Sequence, residues 1–328
     1  MAKSRIGRNG AAVDVGSNSV HVLVARLGRP ATGGWRGLKV LADRSELLGL
    51  GDSVDVHGVI LRDSVDQVLA ALREYRELAA EQGAESLVLI GTEPLRRAAN
   101  ADELVAEIER EAGLTLHVIS VRQEAELTFL GVTGGRSPSE PLIVIDIGGG
   151  STEISLYVPD EELAVVALPV GSARLTNHVV QHDPPTAAEL DRLHDIAAEI
   201  RGQLPRAPAN GRHGRPTAVF VGGSATNIGR LGRLTRGGLA EDRRTIARMP
   251  SQAITELFGV RPRRARQLAA GAAIVEVMLD HYGLEEAHVS TASLRDGAIL
   301  AGLRVGDAWP DHLEEMIAPR SAVLLGSG

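Results

Sequence analysis

Residues 141–158 read PLIVIDIGGGSTEISLYV: an apolar run that ends near Asp146, a glycine-rich turn and a second apolar run. The chain opens with the same order of features. Residues 11–24 read AAVDVGSNSVHVLV and place Asp14 where the later segment has Asp146. Each segment predicts two buried strands joined by a tight turn, with an aspartate at the end of the first strand. A unit that occurs twice predicts two similar domains.

The length and composition of the chain agree with this interpretation. The chain has 328 residues, more than one typical hydrophobic core accommodates, and 44% of them are hydrophobic. Strands and helices alternate along the sequence, which predicts an α/β fold with a mixed sheet flanked by helices in each domain. We place the first domain at residues 1–135 and the second at 136–328, with a last helix that can pack back on the first domain.

The composition also excludes several classes of protein. The chain has no cysteine, which excludes disulfides, thiolate nucleophiles and cysteine-ligated zinc. No stretch is apolar enough to span a membrane, and the N-terminus lacks the apolar segment of a signal peptide, so we expect a cytoplasmic protein without membrane contacts. Only 2% of the residues are aromatic, which argues against base stacking with nucleic acid, and the net charge of −7 gives no global attraction to polyanions.

Four segments combine a strand with a turn rich in Gly, Ser, Thr or Asn: DVGSNS (14–19), GTEPLR (91–96), DIGGGST (146–152) and VGGSAT (221–226). Glycine lets backbone N–H groups approach a phosphate closely, and Ser and Thr add hydroxyl donors. An aspartate beside such a turn can hold Mg²⁺ directly or through water. The segments therefore indicate phosphate binding.

Other phosphate-binding and catalytic motifs are absent. Neither lysine of the chain lies in a glycine-rich turn, as a P-loop requires. In a dinucleotide fingerprint that starts at Gly148, the third glycine would fall on Glu153. The sequence also lacks a GxSxG nucleophile elbow and an HExxH metal motif.

The remaining pattern resembles the exopolyphosphatase and guanosine pentaphosphate phosphohydrolase (Ppx/GppA) family of the actin-like superfamily. DVGSNS is similar to the first signature of that family, and DIGGGSTE to its second phosphate loop. Three further segments are similar and occur in the same order, which extends the resemblance over residues 11–303: GTEPLR, SVRQEAELTFLGV (120–132) and TASLRDGAIL (291–300). The resemblance implies two actin-like (ribonuclease H-like) domains with a cleft between them. The sequence resembles the short family members, which lack C-terminal helical domains.

The resemblance also implies roles for individual residues. Asp14, Asp146 and Glu153 would hold Mg²⁺ or Mn²⁺. Glu124 would be the general base, with Glu153 as a second catalytic carboxylate, and Arg96 would bind a phosphate. The other implied phosphate-binding residues lie in the glycine-rich turns: Ser17, Asn18, Gly148, Gly149, Gly150, Ser151, Gly222, Gly223 and Ser224.

The implied reaction releases the terminal orthophosphate of inorganic polyphosphate, of pppGpp, or of both, and the implied assembly is a homodimer. Hydrolysis of a phosphoanhydride requires neutralised charge, an in-line water and a group that deprotonates this water. Carboxylates on separate segments can divide these tasks between the metal and the water.

Two alternatives remain open. Gln123 and Glu126 stand where the family often has Glu and Arg, and this loss of positive charge keeps open a sensor that binds polyphosphate or guanosine phosphates with little turnover. The second alternative is a small-metabolite kinase, for which VGGSAT is compatible with an adenosine pocket, although no acceptor motif is evident. Release of phosphate without an acceptor distinguishes the three functions.

The individual residues also have structural interpretations. Asp14 and Asp146 could form turns, Glu124 could oppose a helix dipole, and Arg96 could be a surface residue. The arginine-rich stretches 230–248 and 261–266 could bind a polyanion or form a solvated helix face, and we favour the solvated face.

Overall fold

The computed structural model describes residues 7–28, 37–206 and 216–317. The chain forms two compact units. The first contains the described residues up to 137 and those from 292 onward, and the second contains residues 138–291. The limits of 1–135 and 136–328 for the two actin-like domains stay a prediction.

The first unit is built on a five-stranded mixed sheet. Its strands are β1 (Asn9–Val15), β2 (Ser19–Leu27), β3 (Leu38–Leu47), β4 (Ala84–Gly91) and β5 (Leu116–Val118), in the order β3-β2-β1-β4-β5. Strands β1, β2 and β3 form an antiparallel meander, and β4 and β5 continue the sheet in parallel with β1. Its helices are α1 (Leu50–His57), α2 (Arg62–Glu81), α3 (Glu93–Arg97), α4 (Ala101–Ala112), α5 (Val121–Thr133), α12 (Leu294–Val305) and α13 (Leu313–Ile317).

The second unit repeats this topology. Its strands are β6 (Leu142–Ile147), β7 (Thr152–Tyr157), β8 (Ala164–Leu168), β9 (Thr217–Val221) and β10 (His288–Val289), in the order β10-β9-β6-β7-β8. Strand β6 pairs antiparallel with β7 and parallel with β9, as β1 pairs with β2 and β4. Its helices are α6 (Ser172–Val179), α7 (Ala187–Glu199), α8 (Gly222–Leu231), α9 (Arg236–Arg248), α10 (Ser251–Phe258) and α11 (Pro262–Tyr282). The predicted repeat and the predicted α/β class are therefore confirmed.

Helices cover both faces of the first sheet. Ala11, Val13 and Val15 of β1 lie in a core shared with the apolar stripe of α2, whereas Ala12 lies in a core shared with α5 and α12. Successive side chains of a strand point to opposite faces, so one apolar strand contributes to both cores. In the second unit, β6 and β9 pack with α7, α8 and α11 in one continuous core. None of the described helices is long and apolar enough to cross a membrane.

Helices α5 and α12 make backbone contact through two glycines. A Cβ atom on Gly297 would lie 1.8 Å from the Leu127 carbonyl oxygen, and a Cβ atom on Gly131 would lie 2.2 Å from the Ser293 carbonyl oxygen. Asp296 accepts a hydrogen bond from the backbone N–H of Ser293 (2.9 Å) and so caps the start of α12. In the LRDG segment (294–297), Asp296 therefore caps α12, and Gly297 allows α12 to lie against α5.

We predict that Gly297→Ala destabilises the protein by about 3 kcal/mol or more, because the two helix backbones must separate to admit the methyl group. Chemical denaturation measures the loss. The control is Gly237→Ala on α9, where no atom lies within 4 Å of the new Cβ atom. This control should be neutral or should stabilise by up to about 1 kcal/mol. Equal stabilities of the two variants would contradict the backbone contact.

Candidate functional site

The turn between β1 and β2 is held by the start of α1. The Gly16 N–H closes the turn by donating to the carbonyl three residues later (3.0 Å). The carbonyl of Ser17 accepts from the Gly51 N–H (2.9 Å), and that of Asn18 accepts from the Gly49 N–H (3.1 Å). These carbonyl groups of the turn therefore accept hydrogen bonds from within the protein. The segment that begins α1 fixes the conformation of the turn.

The hydroxyl group of Ser17 takes part in a chain of charged contacts. It donates to Glu93 Oε2 (2.8 Å), and Glu93 Oε1 accepts from Arg97 (2.6 Å), which also donates to Asp55 (2.6 Å). The prediction that GTEPLR is a turn is wrong beyond Thr92, because its last four residues belong to α3. This helix buries Glu93 beside Ser17, and sequence reasoning missed Glu93 because it expected a loop there.

Asp14 lies at the end of β1 with its side chain only 17% exposed. Its Oδ2 atom is 3.4 Å from Nη1 of Arg295 in the LRDG segment, and its Oδ1 atom is buried without a hydrogen-bond partner among the described residues. Burial raises the pKa of the Asp14 carboxyl to about 6, and the Arg295 guanidinium opposes part of this rise. The unpaired oxygen is chemically able to accept a proton or bind a cation.

Glu124 and Arg96 form an ion pair in the first unit. Arg96 Nη1 donates to Glu124 Oε2 (2.7 Å) and to the carbonyl of Ile119 (2.9 Å). Glu124 is buried in the first turn of α5, and the Arg96 side chain is only 20% exposed. The structure thus brings together the predicted base and the predicted phosphate-binding arginine, on elements that lie 28 residues apart in sequence.

Gln123 and Glu126 have structural roles in α5. Gln123 completes a capping box: its backbone N–H donates to the Ser120 hydroxyl (3.2 Å), and its side chain accepts from the Ser120 N–H (2.9 Å). Glu126, only 2% exposed, pairs with Arg122 one helical turn earlier (2.8 Å). The departures at these positions are therefore explained by the helix itself, which weakens the argument for a sensor.

The turn between β6 and β7 is held by the start of α6, as the first turn is held by α1. The Gly148 carbonyl accepts from the Ser172 N–H (3.0 Å), and the Gly149 carbonyl accepts from the Arg174 N–H (3.0 Å). The Gly150 carbonyl accepts from the Arg174 guanidinium (2.5 Å). All three glycine carbonyls thus point toward α6.

The amides of this turn consequently point away from α6. In a planar trans peptide the carbonyl of one residue and the N–H of the next are antiparallel. The N–H groups of Gly149, Gly150 and Ser151 therefore lie on the side opposite α6, and within the described part of the chain they donate to no acceptor. Successive N–H groups that point to one side form an anion-binding concavity.

Two predicted metal ligands lie on one face of the second sheet. Asp146 of β6 is directly opposite Glu153 of β7, and cross-strand partners project to the same side. The Oδ1 atom of Asp146 lies 2.4 Å from the position that a Cβ atom of Gly222 would take. Gly222 has φ +86°, a left-handed conformation that favours glycine. Only a residue without a Cβ atom leaves room beside this carboxylate.

Two arginines beside these turns were not among the predicted site residues. Arg174 donates to the glycine-rich turn, and the guanidinium group of Arg264 on α11 lies 3.0 Å from where a Cβ atom of Gly223 would be. Gly223 and Ser224 lie in the first turn of α8, whose N–H groups favour negative charge. Strand β9 ends at Val221, and the glycine pair that follows begins α8.

The donors present fit a hydrated Mg²⁺ ion rather than a closed metal cage. Among the residues that the structure describes, no group of three or more His, Asp or Glu side chains could enclose a metal. Mg²⁺ usually keeps several waters and is held by one or two carboxylates plus the phosphates of a substrate. Asp146, with its neighbour Glu153 and the space left by Gly222, provides donors of that kind.

The arginine-rich stretch 230–248 is largely neutralised within the second unit. Five of its arginines contact an acidic side chain or a carbonyl: Arg230 with Gly259, Arg233 with Glu286, Arg236 with Asp280, Arg243 with Asp191, and Arg244 with Glu241. Such contacts favour the solvated helix face over a polyanion-binding track.

Comparisons with known proteins point to one family. The sequence model of the Ppx/GppA phosphatase family matches residues 31–304. The chain is similar to Exopolyphosphatase 1 of Mycobacterium tuberculosis, with 31% identity over 307 residues that cover 89% of this chain and 87% of that protein. It is also similar to Exopolyphosphatase 2 of that organism, with 28% identity, and the match covers 92% of this chain and 99% of that protein.

A solved structure extends this similarity to the fold. The Ppx/GppA family member of Aquifex aeolicus is 27% identical and superposes with a TM-score of 0.75. The match covers 92% of this chain and 99% of that protein. The actin-like fold that the sequence resemblance implied is therefore confirmed.

We predict that Asp14→Asn changes how stability depends on pH. The pKa of Asp14 is raised to about 6 in the folded protein, from about 4 in an unfolded chain. Between these values the folded protein holds a proton that the unfolded chain has released. The stability that Asp14 contributes below pH 4 is therefore lost as the pH rises through 6.

Asparagine does not titrate, so the free energy of unfolding of the variant, minus that of the wild type, should rise by about 2 to 3 kcal/mol between pH 4 and pH 7. Urea unfolding of both proteins in EDTA at several pH values measures this difference. A difference that stays constant over this range would show that burial does not raise the pKa of Asp14.

Proposed function

This chain belongs to the Ppx/GppA phosphatase family, and we propose that it is a Mg²⁺-dependent exopolyphosphatase that releases terminal orthophosphate from inorganic polyphosphate. The names of its relatives support the substrate class. The observation that carries the proposal is the turn at 148–151, whose three outward amides lack an acceptor among the described residues. A phosphate group supplies the acceptors that these amides require.

Each unit contains donors that suit phosphate binding. In the second unit, the amides of Gly149, Gly150 and Ser151 bind phosphate oxygens, and Arg264 adds charge beside the start of α8. In the first unit, Arg96 binds a phosphate oxygen in exchange for part of its contact with Glu124. Arginine suits both tasks because its planar guanidinium group matches the geometry of phosphate oxygens.

We propose Asp14, Asp146 and Glu153 as the carboxylates that hold the Mg²⁺ ion. When bound, the ion neutralises charge on the phosphate oxygens and on the leaving group. The buried Asp14 oxygen supports this role, because an orphaned buried carboxylate oxygen is costly unless it binds a cation or a proton.

Glu124 is the proposed general base. Water attacks the terminal phosphorus, its proton passes to the Glu124 carboxylate, and the bond to the bridging oxygen breaks, so that orthophosphate leaves a chain shorter by one unit. The contact between Arg96 and Glu124 supports this assignment, because a phosphate bound by Arg96 lies within reach of the same carboxylate. Hydrolysis of pppGpp follows the same chemistry and is proposed as a second activity. A homodimer and a cytoplasmic location stay predictions.

Orthophosphate release from short polyphosphate, long polyphosphate, pppGpp and ATP tests the function in one assay. We expect Mg²⁺-dependent release from polyphosphate without any acceptor, and loss of this release in EDTA. Asp146→Asn should also abolish release while the protein stays folded, because asparagine is a poor metal ligand of nearly the same shape. Asp160→Asn, an exposed position with φ 67° that asparagine tolerates, is the matched control. Full activity after chelation would refute the role of the metal.

We predict that Glu124→Gln lowers kcat by roughly 10²- to 10⁴-fold, because glutamine cannot accept the proton of the attacking water. The KM for polyphosphate should change much less, since water activation acts in the transition state. Steady-state kinetics measures both constants.

Gln123→Ala is the control for this substitution. It removes half of a capping box and should cost about 1 kcal/mol of stability with little effect on kcat. If Glu124→Gln kept more than about a tenth of the wild-type kcat, the base assignment would be wrong, and Glu153 would be the next candidate.

A further inference from the structure

Two buried serines connect α8, α6 and the glycine-rich turn of the second unit. Ser224, in the first turn of α8, donates its hydroxyl proton to Ser172 Oγ (2.8 Å). Ser172, the first residue of α6, donates its own hydroxyl proton to the Gly148 carbonyl (3.2 Å). Ser172 is fully buried and Ser224 is 6% exposed. The two residues are 52 positions apart in sequence.

The direction of these hydrogen bonds determines what Ser224 can do. A hydroxyl group has one proton, and that of Ser172 is engaged by Gly148, so Ser172 offers its lone pairs to Ser224. The proton of Ser224 is engaged in turn and is not available to a phosphate oxygen. Its position in the VGGSAT motif suggested direct phosphate binding, whereas its contacts lead to the Gly148 carbonyl instead.

We infer that Ser172 and Ser224 are positioning residues that hold the turn at 148–151 in its anion-binding orientation. The Gly148 carbonyl accepts both the N–H and the hydroxyl of Ser172, and this carbonyl is antiparallel to the Gly149 N–H. Loss of the hydroxyl chain would leave only the Ser172 N–H bonded to this carbonyl, so the peptide would be held less firmly. The consequence for substrate rests on the proposed function, whereas the hold on the turn does not.

The chain of hydroxyl groups is cooperative because both groups are buried. A buried hydroxyl without a partner is costly, so the loss of Ser172 leaves Ser224 without its acceptor. Ser172 is the central member, and Ser224 acts on the turn only through it. Ser224→Ala should therefore have the smaller effect, and it should add nothing in a chain that already carries Ser172→Ala.

The test compares Ser172→Ala, Ser224→Ala and the double variant. Thr176→Val is the matched control, because Thr176 is a buried hydroxyl residue on α6 that donates to the Ser172 carbonyl (2.6 Å) and not to the turn. Hydrogen exchange of the Gly148 N–H, measured by NMR, reports the turn directly, since this N–H closes it by donating to the Ser151 carbonyl (3.0 Å). The KM for inorganic tripolyphosphate reports binding by the turn.

We expect Ser172→Ala to speed exchange at Gly148 about tenfold and to raise the KM by about 5- to 20-fold, with kcat within about threefold of the wild type. The double variant should match Ser172→Ala, and Thr176→Val should keep wild-type exchange and KM. If Ser172→Ala does not fold, Ser224→Ala alone decides the test. It must then show faster exchange at Gly148 and a higher KM, both by a smaller factor than expected for Ser172→Ala.

Unchanged exchange in the serine variants, or equal effects of Thr176→Val, would overturn the inference. Faster exchange with an unchanged KM would also overturn it, because the turn would then move without affecting the ligand. A wild-type protein that releases no phosphate would count against the proposed function alone. In that case the exchange data would still decide whether the two serines hold the turn.

Discussion

The candidate functional residues depend on the direction in which two tight turns point their carbonyl groups. In each unit the turn after the first aspartate-bearing strand gives its carbonyls to N–H groups at the start of a helix, α1 in one unit and α6 in the other. Because the peptide is planar, this turns the amides of the glycine-rich turn at 148–151 to the opposite side. The start of α6 thus fixes the turn by hydrogen bonds. The amide groups of the turn itself are the donors that an anion can contact.

Charge is arranged differently in the two units. In the first unit three carboxylates with little exposure each contact an arginine: Asp14 with Arg295, Glu93 with Arg97, and Glu124 with Arg96. A buried charge is costly unless it is paired. Each arginine therefore offsets the cost of keeping its partner carboxylate away from water. In the second unit, arginines 174 and 264 lie beside the glycine-rich segments. The first unit therefore holds carboxylates that are paired with arginines, whereas the second places two arginines beside glycine-rich segments.

The LRDG segment shows how a short motif can combine structural and chemical roles. Arg295 contacts the Asp14 carboxylate, Asp296 caps α12, and Gly297 allows the backbone of α12 to touch that of α5. The last two contacts determine where α12 lies, and that position delivers Arg295 to a carboxylate 281 residues earlier in the chain. A substitution at Gly297 would therefore disturb the charge at Asp14 without touching it.

The sequence by itself determined the repeated strand–turn–strand unit and the α/β class, because strand periodicity and turn glycines are local properties of the chain. Only the tertiary structure decided which groups meet. It paired Glu124 with Arg96, placed the last four residues of GTEPLR in a helix that brings Glu93 to Ser17, and linked Ser224 through Ser172 to Gly148. These contacts join residues that are distant in sequence, and no local pattern records them. Their partners are selected by the packing of helices on the sheets, where each buried polar group must find a donor or an acceptor.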